Sequence, residues 1–477
     1  MKQLLTLLFI LLLSVCAFAD GLADVDYTTP DSWSQHVTTN GFKSESAMHN
    51  IAGGNLSLSL TTRFTYQDND YAIDQNIYQY LRMNYSDAEL GSGTVSGAVF
   101  ARVGKDIDGK RGDHWRDSYY YFYNDTLDVE ERENSASDRL YHAFLKFDNV
   151  VKGSAITLGR LYANHIDTYQ LDGADVNVKM LDEKLSVSAF GGRPVSYYYD
   201  TDDDMVYGAG VELKPYETIT IRGVYTYLDV TDDETDLVKI RGDLQKGNVS
   251  GYAEYGSADS NGYYKVGGTF RIPSTKTSLT IGYQELLDEI GTEDGGGYVT
   301  NPLTYSLLPY GKYKKVRMKL SQGITENLVA GVGTEIKTAD TENLTNRSFN
   351  RYNAYIDLVR FPTENTYISI NVDYWDVDSN TFSDSNKSTT FGLQATQIIS
   401  DDLEVWAGSS FERFEYDEED NQVKDWIRTY YAGGQYSLTG HLSLTANVYM
   451  EDSEVLERDS ADLERNYQTE IWLNISI

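Results

Sequence analysis

Polar and apolar residues alternate along most of this chain. In TYISINVDYW, Ile368, Ile370, Val372 and Tyr374 fall on one side, and Ser369, Asn371 and Asp373 on the other. HLSLTANVYM repeats the pattern, with Leu442, Leu444, Ala446, Val448 and Met450 against Ser443, Thr445 and Asn447. NLSLSLTTRFTY, TITIRGVYTY, TSLTIGYQ and DLVKIRGDL keep the same period of two, the period of a strand with two unlike faces. The closing stretch NYQTEIWLNISI holds it to the end, with Ile471, Leu473, Ile475 and Ile477 on one side. Segments of about ten residues suffice to cross a bilayer when tilted. Counting them predicts about 22 strands, within a range of about 20–24, between Leu56 and Ile477.

The connections sort into two kinds. One set is short: KPYE (214–217), QKGN (245–248), IPST (272–275), FPTEN (361–365) and SLTG (437–440). The alternate set is longer and acidic: 197–204, 229–236, 286–311, 415–422 and 451–464. All seven prolines are expected outside the strands, because a proline cannot donate to a ladder. A last strand that is apolar to its final residue needs lipid on that face. Backbone polar groups in lipid must pair internally, so the sheet has to close on itself. The fold predicted is therefore all-β: a transmembrane antiparallel up-and-down barrel with short periplasmic turns and long acidic extracellular loops.

Residues 1–19 read as a secretory signal peptide, with one early Lys, an apolar run from Leu4 and Ala17-Phe18-Ala19 before Asp20. Residues 20–54 are expected to form a periplasmic extension or plug, and 55–477 the barrel. Residues 105–138 are read as an extended hairpin or a loop folded into the lumen. The only cysteine, Cys16, lies in the signal, so disulfides, thiolate metal sites and covalent c-type haem are excluded from the mature chain. A net charge of −33 disfavours nucleic acid as a partner.

With these strands in place, residues 56–477 resemble the Gram-negative outer-membrane β-barrel proteins, large porins in particular. The resemblance is one of architecture. It implies residence in the outer membrane, contact with lipid and lipopolysaccharide, and a C-terminal strand read by the barrel-assembly machinery. Such strands usually end in Phe or Trp, whereas this one ends in Ile477.

A pore acts through its inward side chains. Alternation assigns as inward the basic residues Arg63, Arg82, Arg102, Lys146, Arg160, Arg222, Lys239, Arg241, Lys265, Arg271, Lys315, Arg317 and Lys319. The later strands contribute the acidic Glu335, Asp357, Asp373, Glu404, Glu412 and Glu470, interrupted by Arg351 and Arg428. The first two-thirds of the wall is thus expected to be basic and the last third acidic, which would set a transverse field. Opposed walls of this kind at a constriction are what the porin resemblance implies. The alternative reading is that mixed charges only keep the lumen wet. LGRLYANHIDTYQLDGADV has the look of a strand followed by a constriction loop. Outward Tyr66, Tyr85, Tyr227 and Tyr374 suit aromatic girdles.

Catalysis finds little in the chain: no pair of the six histidines has metal-ligand spacing, and no G-x-S-x-G or H-E-x-x-H occurs. Neither DTDDD nor TDDETD has calcium-loop spacing, and no metal or cofactor is expected. Two functions remain. The first is a passive channel for ions or small hydrophilic solutes, biased by lumen charge. The second is a sheath around a multihaem cytochrome partner in an electron conduit; without C-x-x-C-H the chain would be the sleeve and not the wire.

Overall fold

A computed structural model of the chain describes residues 49–51, 53–69, 72–107, 138–195, 203–230, 233–258, 261–288, 311–340, 346–379, 385–418, 421–453 and 465–476. A short strand, β1 (His49–Ile51), pairs with the start of β2 (Gly54–Asn69). The wall then continues through β3 (Ala72–Leu90), β4 (Gly93–Asp106), β5 (Arg139–Asp148), β6 (Ser154–Asn164), β7 (Thr168–Met180), β8 (Leu185–Pro194) and β9 (Met205–Tyr216). Next come β10 (Ile219–Val230), β11 (Asp233–Lys246), β12 (Val249–Ala258), β13 (Asn261–Ile272), β14 (Thr277–Leu286), β15 (Tyr313–Gly323) and β16 (Leu328–Ala339). The circuit ends with β17 (Phe349–Val359), β18 (Thr366–Val377), β19 (Asn386–Ser400), β20 (Leu403–Glu418), β21 (Asn421–Thr439), β22 (Leu442–Ser453) and β23 (Arg465–Ser476).

Each strand pairs antiparallel with its successor, and β23 returns to pair with β2 from Ser59↔Ser476 to Asn69↔Asn466. Apart from the β1 stub, this is a closed barrel of 22 strands. For that strand number, a spacing of ~4.8 Å and a tilt of ~40° give a backbone diameter of roughly 40 Å.

Direct partners share a face, so the faces can be followed round the ring. Ile370 on β18 stands opposite Ile356 and Leu393, while Asp373 stands opposite Asn353 and Thr390. The apolar face is outward: Ile240 and Val332 are both 54% exposed, whereas Met83, Val99, Leu140 and Ala143 on the same face of β3 to β5 are buried. Exposed Ile, Val, Leu and Phe continue round the barrel, at Val211, Val266, Phe270, Ile281, Phe391, Val448 and Ile471. An exposed apolar face of that extent is stable in hydrocarbon and not in water. Tyrosines stack along its edge, Tyr207 on Tyr227 at 4.9 Å and Tyr352 beside Tyr374 at 6.4 Å.

Several expectations need correction. The acidic stretches 229–236 and 415–422 are mostly strand, because β10–β11 and β20–β21 run on past the belt as paired ladders. Pro215 lies inside β9 and Pro194 closes β8, so two prolines fall within strands. Both sit where the ladder can spare a donor: Pro215 at the register slip between β9 and β10, Pro194 at the last pair with Leu171. The turn expected at 214–217 accordingly shrinks to residues 217–218. The proposed signal peptide, residues 20–48 of the N-terminal extension and residues 108–137 lie outside the described residues.

Candidate functional site

The interior is organised by a row of glycines. Gly159 on β6 pairs with Gly173 on β7, which pairs with Gly192 on β8. A Cβ at Gly173 would sit 2.1 Å from the Gly191 carbonyl oxygen, and one at Gly192 would sit 2.4 Å from that of Asp172. Gly159 has a φ of +121°, a conformation that glycine reaches without penalty. Three strands therefore approach closely and bend at one level.

Beyond the row, the β6–β7 hairpin folds into the barrel. Leu161, Ala163, Tyr169 and Leu171 occupy one of its faces and are almost wholly buried. They pack against Phe190, Val206, Leu228, Leu237 and Ala258, which are inner-face residues of β8 to β12. At the tip, Asp167 pairs with Lys239 of β11. The His165 ring stacks on Phe190 at 4.6 Å, with Nδ1 3.3 Å from the Ser188 hydroxyl and Nε2 3.3 Å from an Asp175 carboxylate oxygen.

The other face of the hairpin carries Arg160, Tyr162, Gln170 and Asp172. The Arg160 guanidinium donates to both Asp172 oxygens at 2.7 and 2.6 Å and to the Leu140 carbonyl at 2.9 Å. Gln170 donates to the Tyr141 carbonyl. The ladder between β5 and β6 ends at Ala143↔Arg160, so these side chains occupy β5 carbonyls where backbone pairing has stopped. Tyr162 lies edge-on to His142, an inner-face residue of β5, at 6.3 Å, so this face of the hairpin looks onto the lumen. Arg160 is a correction to simple alternation. By register it shares the side of Leu158 and Ala174, and it meets the lumen only because the hairpin turns in.

The ladder places the other expected basic residues on the inner face. Around β9 to β13, however, the wall is not basic. Arg222 pairs with Glu212 at 2.9 Å and lies 3.5 Å from Asp243, while Arg241 meets Asp243 at 2.9 Å and Glu254 at 3.3 Å. Lys265 lies 3.7 Å from Glu254, which also accepts from Tyr263 at 2.8 Å. Counting Asp167 on Lys239, these four cations each have a carboxylate. Asp243 keeps the period of two with Lys239 and Arg241 and was legible in the sequence; Glu254 needed the register.

Elsewhere Lys146 pairs with Asp148 at 3.0 Å and Arg63 with Glu470 at 2.5 Å. Arg102 lies 5.0 Å above the Tyr78 ring, and Arg271 faces Ser278 at the short-turn end. On β15, Lys315 pairs with Glu335 at 3.3 Å. Among the described residues, Arg317, Lys319 and Arg82 have no carboxylate at ion-pair distance; Lys319 lies 5.2 Å over Tyr355 and Arg82 4.4 Å over Phe100.

In the later sector Asp357 accepts from Ser369 at 2.7 Å, and Arg351 forms a bidentate pair with Asp373. Glu404 and Glu412 stand on the inner face of β20. Glu451, opposite Thr429 and Asn466, joins them, because β22 runs on to Ser453, into the stretch 451–464 expected as loop. Arg428 is on the outer face with Trp426, 4.2 Å above its ring, and does not interrupt the acidic wall.

No family model and no curated protein matches the chain. Solved structures similar to it include the outer membrane protein opdK from Pseudomonas aeruginosa, at 11% identity, with 88% of this chain and 98% of that chain covered and a TM-score of 0.41. OccAB3 of Acinetobacter baumannii is 11% identical over 90% of this chain and 100% of its own, with a TM-score of 0.45. A BenF-like porin from Pseudomonas fluorescens Pf-5 is 10% identical over 90% and 100%, with a TM-score of 0.46. The closed antiparallel sheet of 22 strands, its outward apolar face and its polar interior make this chain a β-barrel of the membrane-spanning kind.

Proposed function

We propose that the barrel is a diffusion channel for ions and small hydrophilic solutes, narrowed by the β6–β7 hairpin. The observation that carries this reading is the hairpin itself. A barrel of this strand number would otherwise enclose a bore far wider than a small solute, and the hairpin lays one apolar face on the wall and turns its polar face to the lumen. Arg317 and Lys319 on β15, and Glu412 and Glu451 on β20 and β22, supply a field across the water. Outer-membrane lipid and lipopolysaccharide are the partners of the outer belt on this reading.

Planar-bilayer recording of the refolded barrel tests it: a stable open conductance is expected, and permanent silence from a folded barrel would overturn it. The same width keeps a second reading in view, a sheath round a multihaem cytochrome. That reading requires the isolated barrel to conduct poorly and to retain such a partner.

A further inference from the structure

We infer that His165 is a proton-responsive latch on the β6–β7 hairpin, a regulatory role that rests on the channel reading above. The ring sits at the turn of the hairpin, and its side chain is only 9% exposed. It stacks on Phe190 of β8 at 4.6 Å, with Nδ1 3.3 Å from the Ser188 hydroxyl and Nε2 3.3 Å from Oδ1 of Asp175, two residues beyond Gly173 of the glycine row. Nε2 and Asp175 Oδ1 are both buried, and neither makes a hydrogen bond. Two polar atoms thus face each other, shut off from water, where the hairpin turn meets the wall. A neutral imidazole carries one N–H, so it donates to Ser188 or to Asp175 but not to both. With the proton on Nδ1, the Nε2 lone pair is set against the carboxylate. The imidazolium donates to both partners at once, and its bond to Asp175 is charge-assisted.

The charges around the ring leave Asp175 to it. Asp167, on the same turn, accepts the His165 backbone N–H with its own carbonyl at 2.9 Å, while its carboxylate is taken by Lys239 of β11 and by the Tyr169 hydroxyl at 3.4 Å. Beyond Lys239, Glu254 of β12 accepts from Tyr263 of β13 and pairs with Arg241 and Lys265. Glu212 of β9 pairs with Lys214 and with Arg222 of β10. Among the described residues, His165 is the one basic group at ion-pair distance from Asp175. Histidine is the side chain that changes charge between about pH 5 and pH 8. The turn is therefore held more firmly against the wall at the acid end of that range, and lifts from it more often at the alkaline end.

The test is single-channel recording of the full-length barrel in bilayers at about pH 5.5 and about pH 8, across the range in which histidine changes charge. A nitroxide on Thr168→Cys, an exposed position of the hairpin, reports mobility in vesicles over the same range; residues 55–477 contain no other cysteine. Current flicker and label mobility should both rise from acid to alkaline pH, the flicker rate about fivefold, the factor that separates a charge-assisted from a neutral hydrogen bond. His165→Gln and Asp175→Asn should each abolish the rise, and His142→Gln, on the inner face of β5, should keep it. A rise that survives in His165→Gln, or flicker and mobility indifferent to pH in the unaltered chain, would overturn the latch while leaving the channel standing. Label mobility that follows pH through His165 in a barrel that never conducts would remove the channel and keep the latch.

Discussion

Lys239 of β11 and Asp167 at the tip of the β6–β7 hairpin form an ion pair across the three intervening strands β8 to β10 of the inner wall, and the Lys239 side chain is only 3% exposed. The pair fastens the far end of a hairpin whose near end is fixed by backbone contact at the glycine row.

Asp167→Asn should release the tip. Breaking a buried pair by removing one partner costs about 3–5 kcal/mol, because the other charge stays buried. The expected result is a larger and noisier single-channel current. Lys239→Met combined with Asp167→Leu should restore a quiet channel, since an apolar pair suits the neighbouring Leu237 and Leu228. A quiet Asp167→Asn channel of unchanged size would show that the pair holds nothing in place.

Gly173→Ala places a methyl group against the Gly191 carbonyl. Overpacking of this kind costs about 1–3 kcal/mol. The urea midpoint of the vesicle-inserted barrel should fall. Gly242→Ala, where an added Cβ meets nothing within 4 Å, should leave it unchanged.

Charge selectivity should follow the unpaired groups and not the paired ones. At roughly 15 Å a unit charge contributes about 0.3–1 kcal/mol for effective dielectric constants of about 80 to 20. Arg317→Gln with Lys319→Gln, which removes two charges, should therefore shift the permeability ratio toward cations by about three- to thirtyfold. Glu412→Gln with Glu451→Gln should shift it the other way. Arg222→Gln with Glu212→Gln, which removes a neutral pair, should do less than either. Reversal potentials in a salt gradient decide the ranking.

The outer belt makes a different demand. Ile240→Arg should destabilise the inserted barrel by about 2–4 kcal/mol if the position lies near the bilayer midplane. Thr390→Arg, on the inner wall beside Glu412 and Asp373, should be tolerated. Urea titration in vesicles of both variants separates a lipid-facing wall from a water-facing one.

What the sequence disclosed follows from the period of two. Ile368, Ile370 and Val372 against Ser369, Asn371 and Asp373 could be sorted without coordinates, and so could the number of strands. The sorting failed at Arg160 because Gly159 next to it starts the bend, and bending changes what a face looks at without changing its alternation. Arg428 failed for the converse reason: it is a cation on the outer side, stacked on Trp426. The pairing of Arg241 with Glu254 depends on strand register, and that of Lys239 with Asp167 on a tertiary fold between residues 72 positions apart. A local pattern carries neither.

The seam has a consequence for how the molecule is made. Thr61 bonds to Asn474 across a sequence separation of 413 residues, and the entire β2–β23 ladder is of this kind. Closing a loop of that length from a free chain costs about 5 kcal/mol of entropy before any contact offsets it. Until the last strand arrives, β2 presents an unpaired edge open to any neighbouring chain. A ribosome or secretion channel releasing residues one after another cannot complete the circle, so the rate of maturation should be set by the time the first edge is shielded and not by the speed of zipping the hairpins between.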